Sequence, residues 1–210
     1  LSVIWFRKQW KGISQNMDSI NYEDLKNRIH KYLQKNLKES RYQHTLNVAQ
    51  LAVKMAEREG VSREKAEIAS LLHDMARNLP VDEMNRMAGE LGLPDRYRDN
   101  PNLVHSKLAA DMAKREFGIE DEDMLNAILY HTTGRPGMST LEKIVFLADA
   151  IEPGRKYPHV HEIRKKAETD LNKACLESLA GTVNFIKDKG VFIDPDTLAA
   201  KEYFEKMEED

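Results

Sequence analysis

Residues 69–76 of the chain read ASLLHDMA, a mostly apolar run around the adjacent pair His73 and Asp74. The run predicts that this pair lies inside the protein, among side chains such as Leu71, Leu72 and Met75. An ionised carboxylate is costly to bury unless it is paired, hydrogen-bonded or bound to a metal. The stretch therefore predicts a buried helical segment with a polar site attached to it.

Two further polar residues, Asp149 and His44, lie among apolar residues in the sequence. Asp149 ends the apolar run of residues 144–148, where no neighbour in sequence can neutralise its charge. His44 is expected to point toward the face that its helix buries, because it lies at helical spacing from three apolar residues. These residues are Val48, Leu51 and Met55.

Two buried aspartates and several inward-facing histidines on different helices predict convergence on one cation. Imidazole and carboxylate ligands together suit iron, manganese or zinc better than calcium or magnesium. Each feature alone has a plainer explanation, since a single histidine on an apolar face is usually a hydrogen-bonded core residue. Asp149 is equally compatible with a buried hydrogen bond between helices. Only the combination favours a metal.

Apolar residues recur at helical spacing along almost the whole chain. The first stripe consists of Leu25, Ile29, Leu33 and Leu37. Ser40 is a predicted N-cap of the second helix, and the third is expected to run from Ser62 to near Asn78. Ser139 with Glu142 forms a capping-box pattern. No alternating β pattern of convincing length is present, so the sequence predicts an all-α helical bundle with the metal site at its centre.

The composition excludes several classes of protein. The chain has 210 residues, with 32 basic and 35 acidic side chains and a formal net charge of −3. Without a concentrated basic surface, nucleic acid is not an expected partner. The single cysteine, Cys175, excludes an internal disulfide and fits a cytoplasmic location. No apolar stretch approaches the ~20 residues that span a bilayer, so no membrane partner is expected.

Residues 1–17 differ from the rest, because they contain three basic residues, both tryptophans and no acidic residue. A membrane-surface anchor is one interpretation, since Trp5, Phe6 and Trp10 lie among the basic side chains. We favour an N-terminal extension, disordered or not native, with the natural start at Met17, because apolar and basic residues do not separate onto two faces. One domain is expected over residues 18–210.

The order His44, His73-Asp74 and Asp149 resembles the pattern of HD-domain metal-dependent phosphohydrolases. Four stretches are similar to the YqeK family, the bacterial symmetrical bis(5′-nucleosyl)-tetraphosphatases of HD type. They are RYQHT at residues 41–45, LLHDMAR at 71–77, HTTGRPGMS at 131–139 and LEKIVFLADAIEPGR at 141–155. The resemblance extends over about residues 37–204, shows no departure at the metal-ligand positions, and implies an HD-domain helical bundle.

The resemblance implies a first metal bound by His44, His73, Asp74 and Asp149. It places His105 and His131 in the same site, as ligands of a second metal or as contacts of substrate phosphates, and leaves that choice open. Asp74, His105 and His131 are the implied catalytic residues. The implied cofactor is iron, as one or two ions, with manganese or another divalent cation as the alternative. A position beside the start of its helix is the plainer explanation of His105.

Arginines are expected to bind the phosphates. Arg41 lies three residues before His44 and Arg155 six residues after Asp149, which predicts both beside the metal. A guanidinium group suits phosphate because its fork gives paired, charge-assisted hydrogen bonds. Through the resemblance, the expected nucleotide and phosphate contacts also include Arg77, Asn78, Leu79, Pro80, His105, His131, Thr132, Asp149, Val191, Phe192 and Ile193.

Other candidates are expected outside the site. His159 and His161 lie in a polar segment with helix breakers, which favours a surface loop. His30 lies among basic residues and is expected to be solvated. The sequence leaves the roles of Arg135 and Lys143 undecided.

The implied activity is symmetrical hydrolysis of diadenosine tetraphosphate to two ADP by a metal-activated hydroxide. One alternative keeps the HD site but changes the substrate to another nucleotide, for instance a nucleoside monophosphate or a cyclic nucleotide. Another is a non-catalytic, metal-containing nucleotide sensor or ribosome-associated regulator. Arg41, Arg77 and Arg155 favour a polyphosphate, and the complete ligand set favours an active enzyme. The oligomeric state stays open, with a homodimer as one option.

Overall fold

The computed structural model describes residues 19–209, which form ten α-helices and one short 3₁₀ helix, Asp95–Tyr97. The helices α1 to α10 are, in chain order, Ser19–Asn36, Glu39–Glu59, Arg63–Leu72, Val81–Glu90, Pro101–Phe117, Glu122–Tyr130, Thr140–Ile151, Val160–Ala167, Leu171–Lys189 and Pro195–Glu209. Residues 19–209 contain no strand, so the all-α prediction is confirmed. The predicted extension at residues 1–17 lies outside the described residues, and the domain boundary stays a prediction.

Helix α7 is the central element of the bundle. It packs against α2, α3, α6 and α9, and its residues Ile144, Val145 and Leu147 are completely buried. Burying one such aliphatic side chain contributes roughly 1.5–3 kcal/mol. These four helices therefore assemble around α7, and Asp149, near its C-terminal end, lies where several of them meet.

The sequence signals at helix ends are confirmed in part. The four residues of the first stripe are all buried, and α7 begins with the predicted capping box of Ser139 and Glu142. The prediction of Ser40 as an N-cap is wrong, because α2 already begins at Glu39. Lys38 occupies the N-cap position without a side-chain cap. The amide of Lys38 itself is satisfied from another turn, since Asn78 Oδ1 accepts a hydrogen bond from it over 3.0 Å.

Helix α3 ends at Leu72, and the prediction that it runs to near Asn78 is wrong. Beyond Leu72 the backbone forms tight hydrogen bonds between residues three apart, namely Met75 N to Leu72 O (3.1 Å) and Arg77 N to Asp74 O (2.9 Å). His73 Nδ1 lies 2.6 Å from the Ser70 carbonyl, which a continuing α-helix would pair with the Asp74 amide. The ring thus replaces the next helical bond, and His73 and Asp74 both face inward.

Candidate metal centre

Five segments of the fold bring the six predicted metal-site residues together. Helices α2, α5 and α7 contribute one residue each, and the turns after α3 and α6 contribute the others. The residues, in that order, are His44, His105, Asp149, His73 with Asp74, and His131. Neighbouring imidazole rings have centroids between 4.8 and 5.6 Å apart. The structure therefore agrees with the expected convergence on one centre.

Each of the four imidazoles is fixed through its Nδ1 atom. Three donate to a carbonyl three or four residues earlier: His73 to Ser70 (2.6 Å), His131 to Ile128 (2.7 Å) and His105 to Pro101 (3.0 Å). The fourth, His44, donates to Glu152 Oε1 over 3.2 Å. Carbonyl and carboxylate oxygens only accept, which assigns the Nδ1 proton of each ring. The Nε2 lone pair of each neutral ring therefore faces the middle of the site.

Two carboxylates face these nitrogen atoms. Asp74 is 3% exposed, and its two oxygens lie 3.2 Å from His105 Nε2 and 3.5 Å from His73 Nε2. Asp149 Oδ1 lies 3.0 Å from His44 Nε2. The Nε2 atoms of His44 and His73 are buried and make no hydrogen bond of normal geometry. Nitrogen and oxygen lone pairs at these distances repel each other unless a proton or a cation lies between them.

A divalent cation fits this arrangement. Two overlapping groups of ligand atoms each lie within 4.8 Å of one another, namely His44, His73 and Asp149, and His73, Asp74 and His131. A cation accepts the Nε2 lone pairs and neutralises the carboxylates at the same time. The groups overlap at His73, so ligands for one ion or for a pair are present.

The pKa values follow from the same crowding of charge. Burial opposes ionisation of Asp74 and Asp149, but the surrounding histidines outweigh it and keep both pKa values below the usual range. Burial also disfavours the charged form of His73, yet the two carboxylates raise its pKa. Burial and the neighbouring histidines lower the pKa of His131 to about 3. At neutral pH the carboxylates are charged and His131 is neutral, the forms in which such groups bind metals.

Two arginines lie directly beside the carboxylates. Arg41 Nη1 is 2.8 Å from Asp74 Oδ2. Arg155 donates to Asp149 Oδ1 over 2.5 Å and to the Asp149 carbonyl over 2.8 Å. About a third of each side chain is exposed, 30% for Arg41 and 35% for Arg155. Both therefore border the metal centre and face solvent.

The Arg77 side chain is held by hydrogen bonds to the start of α5. Its guanidinium donates to the Pro101 carbonyl over 2.8 Å and to Asn102 Oδ1 over 2.7 Å. Nη1 also lies 3.3 Å from His105 Nδ1. Arg77 therefore holds the start of α5, including the Pro101 carbonyl to which His105 Nδ1 donates.

The other expected nucleotide contacts lie at different distances from the centre. Thr132 Oγ1 is 3.1 Å from His131 Nε2, which places its hydroxyl in the site. Asn78 accepts a hydrogen bond from the Lys38 amide at the start of α2. Leu79 packs against the hydrophobic core, and Pro80 immediately precedes α4. Val191 and Phe192 are 60% and 53% exposed, and Ile193 is half-buried. Within the described residues, no hydrogen bond or ion pair joins the segment of residues 191–193 to the metal centre.

Sequence reasoning missed Glu152 and Asn47. Glu152 accepts hydrogen bonds from His44 Nδ1 (3.2 Å) and from Asn47 Nδ2 (3.0 Å). A signal for these residues exists in the spacing. Asp149 and Glu152 lie three residues apart on α7 and at its end, and His44 and Asn47 lie three apart on α2, so each pair shares a helix face.

The histidines expected outside the site lie outside it. His159 and His161 are both exposed, as predicted, but the loop ends at His159 because α8 begins at Val160. His30 differs from the expectation of a solvated side chain. It is half-buried, and its Nδ1 lies 3.0 Å from the Tyr42 hydroxyl.

The two undecided cations both have structural partners. Arg135 donates to the two carboxylate oxygens of Glu142 over 2.7 and 2.6 Å, which adds an ion pair to the capping box of α7. The Lys143 ammonium lies 5.8 Å from the centre of the Phe204 ring. Neither contact involves a residue of the metal centre.

The sequence model of the HD domain matches residues 41–154, which include all six residues of the centre. The chain belongs to the HD-domain family. Membership of this family implies dependence on a divalent metal, and the His and Asp cluster of this HD domain agrees with it. No helix within residues 19–209 has the length and apolar character needed to cross a membrane.

Two enzymes of named activity are similar to this HD domain over most of its length. The symmetrical bis(5′-nucleosyl)-tetraphosphatase of Bacillus subtilis is 46% identical over 162 residues, which cover 77% of this chain and 87% of that protein. The enzyme of the same name from Halalkalibacterium halodurans is 46% identical over 78% of this chain and 88% of its own. The resemblance to the YqeK family is thereby confirmed.

A solved structure shares the fold of this HD domain. It is the crystal structure of a predicted HD superfamily hydrolase involved in NAD metabolism from Clostridium acetobutylicum. The two chains are 44% identical and superpose with a TM-score of 0.83, over 87% of this chain and 97% of that chain. The predicted helical bundle of HD type is therefore confirmed.

The substitution Asp74→Asn tests the metal centre. It keeps the size of a buried side chain but removes a charge that the proposed cation needs. We expect metal affinity to fall by more than the ~100-fold that loss of an outer partner causes, with helix content near wild type. Elemental analysis after dialysis and circular dichroism measure both.

Asp194→Asn is the matched control, because Asp194 is 1% exposed and caps α10 instead of facing a histidine of the centre. Its metal content is expected to equal that of the wild type. Full metal occupancy in Asp74→Asn would contradict the assignment of Asp74 as a ligand.

Proposed function

We propose that this HD domain hydrolyses diadenosine tetraphosphate symmetrically to two ADP. The observation that carries the proposal is a metal centre whose two carboxylates each pair with a partly exposed arginine, Arg41 and Arg155. Such a centre suits a polyphosphate chain, which needs several cations along its length. The names of the relatives from Bacillus subtilis and Halalkalibacterium halodurans support the substrate.

We further propose that iron, as one or two ions, is the bound metal, with manganese or another divalent cation as the alternative. The donor set of imidazole and carboxylate groups supports these metals. A cation held by His44, His73, Asp74 and Asp149 supplies Lewis acidity, which lowers the pKa of water toward neutrality. Proton transfer, charge stabilisation and nucleotide binding are assigned to side chains of the protein.

When one ion is bound, proton transfer and positioning of the attacking water are assigned to His105 and His131, the two histidines that do not hold that ion. The Nε2 atoms of His105 and His131 lie 3.1 Å apart and both face the site. The His105 lone pair can accept a proton from an attacking water molecule, while His131, whose pKa is lowered, would hold that water through its own lone pair. Asp74, 3.2 Å from His105 Nε2, would pair with the imidazolium that forms. With two ions bound, the same nitrogen atoms would act as ligands instead.

Charge stabilisation and nucleotide binding are assigned to the rim. Arg41 and Arg155 would neutralise phosphoryl oxygens as negative charge develops on the leaving ADP. The proposed contacts of the nucleotide are Arg77, Asn78, Leu79, Pro80, Thr132, Val191, Phe192 and Ile193. The exposure of Val191 and Phe192 supports a role in covering a base, since both offer apolar surface to solvent. The homodimer and the cytoplasmic location stay predictions.

A second substrate is favoured by one observation. The similar structure from Clostridium acetobutylicum is described as a protein involved in NAD metabolism. NAD also joins two nucleosides through a phosphate anhydride, so a centre that hydrolyses one such bridge is chemically suited to the other. We propose NAD as the second candidate and the tetraphosphate as the first.

Product analysis decides between these functions. Metal-free protein, reloaded anaerobically with Fe²⁺ or with Mn²⁺, is incubated with diadenosine tetraphosphate or with NAD, and nucleotides are resolved by anion-exchange chromatography. We expect ADP as the sole product of the tetraphosphate, and no product after metal chelation. ATP together with AMP would contradict the symmetrical cut. Turnover of NAD alone would favour the second candidate, and no turnover of either would favour the non-catalytic sensor.

The substitution Arg41→Ala tests the phosphate contact. Loss of a charge-assisted hydrogen bond costs about 1.5–3 kcal/mol, so ADP affinity should fall roughly tenfold to hundredfold. Metal affinity should hold or rise, because Asp74 loses a competing partner. Calorimetric titration of ADP into metal-loaded protein measures the change.

Arg41→Lys should recover only part of the affinity, since an ammonium lacks the two-pronged geometry. Arg86→Ala is the control, because Arg86 is 60% exposed and pairs with Glu90 on the surface. Equal ADP affinity in wild type and Arg41→Ala would remove Arg41 from the phosphate site.

A further inference from the structure

The carboxylate of Glu152 lies behind the metal centre, at the end of α7. Only 4% of the residue is exposed, and its side chain accepts three hydrogen bonds. The donors are His44 Nδ1 (3.2 Å), Asn47 Nδ2 (3.0 Å) and the Gly154 amide (2.6 Å). The three donors occupy both oxygens of the carboxylate, which fixes its position behind His44.

His44 differs from the other imidazoles of the centre in this partner. The other three donate Nδ1 to backbone carbonyls, which are neutral. A carboxylate draws the Nδ1 proton more strongly, which raises the electron density at Nε2 and makes the ring a better ligand. Of the four imidazoles of the centre, His44 is therefore the one whose Nδ1 faces a carboxylate.

Gly154 keeps space open for this carboxylate. A Cβ atom at position 154 would lie 2.8 Å from Glu152 Oε1 and 3.0 Å from Oε2. The first distance is shorter than a Cβ atom tolerates and the second is tight, so any larger residue at position 154 would force the Glu152 carboxylate to shift. A glycine at this position thus fits the requirement that Glu152 stays in place.

The backbone around Glu152 is fixed from the other side. Arg164 on α8 donates to the carbonyls of Ile151 (2.8 Å), Glu152 (2.7 Å) and Arg155 (3.0 Å). Arg155, in the same loop, reaches back to Asp149. One short segment therefore carries a partner of a metal-binding histidine and a cation for the phosphate.

We propose that Glu152 is a positioning residue that polarises His44 for metal binding and couples the metal centre to the loop of Arg155. The proposal rests on the metal centre described above, but it does not depend on which substrate is cleaved. Its consequence is that metal affinity is set partly by a residue that never touches the ion.

Titration of metal-free protein with Mn²⁺, followed by the electron paramagnetic resonance signal of free Mn²⁺, tests the proposal without substrate. Glu152→Gln keeps the size of the side chain but removes the charge and replaces one accepting oxygen with a donating NH2 group, and we expect about 10- to 100-fold weaker Mn²⁺ binding. The matched control is Glu142→Gln, a second buried glutamate of the same helix, which is 2% exposed and pairs with Arg135. It should lower the melting temperature and leave Mn²⁺ affinity unchanged.

A double-mutant cycle tests whether position 154 affects Mn²⁺ affinity through the Glu152 carboxylate. Gly154→Ala alone should weaken Mn²⁺ binding to a similar degree, because the new methyl group displaces the carboxylate. In the Glu152→Ala background the same change should have no further effect, since nothing is left to displace. Additive effects would contradict a route through the carboxylate.

Unchanged Mn²⁺ affinity in Glu152→Gln, or an equal loss in Glu142→Gln, would overturn the proposal. Failure of the proposed function looks different. In that case wild type and variants would show the expected order of Mn²⁺ affinities, while none would hydrolyse diadenosine tetraphosphate.

Discussion

The orientation of four imidazole rings is the constraint on which the site depends. Each ring uses its Nδ1 proton on an outer acceptor, so four Nε2 lone pairs face each other and the oxygens of Asp74 and Asp149. Without positive charge in the middle, this arrangement is repulsive. Protonation relieves it in part, which agrees with the raised pKa of His73. A divalent cation relieves it more completely, because it serves both carboxylates and several nitrogens at once.

The helical bundle produces this arrangement through the ends of its helices. His73 and His131 follow the last residues of α3 and α6, where their rings take the carbonyls of Ser70 and Ile128 that lack helical partners. The apolar body of α7 holds these ends together, and Asp149 completes the centre. Unsatisfied backbone acceptors at the helix ends and polar side chains in the core thus satisfy each other.

The sequence predicts which residues converge on the centre but not their supporting contacts, and the physical reason is distance. His73 and Asp74 can be predicted from the sequence, because a charged side chain inside an apolar run must have a partner. Glu152 is harder to predict because its partner His44 lies on another helix. Spacing shows that Glu152 shares a helix face with Asp149, but it does not show which residues of α2 meet that face. The end of α3 was misplaced for another reason: tight turns and a helix show nearly the same apolar spacing over a few residues.

Anomalous diffraction from a crystal of the iron-loaded protein, recorded on both sides of the iron absorption edge, locates the metal and its ligands directly. We expect an iron peak within bonding distance of the Nε2 atoms of His44 and His73 and of a carboxylate oxygen of Asp149, with or without a second peak near His131. Iron bound elsewhere, or an iron-free centre in which these nitrogen atoms pair only with protons and water, would contradict this expectation.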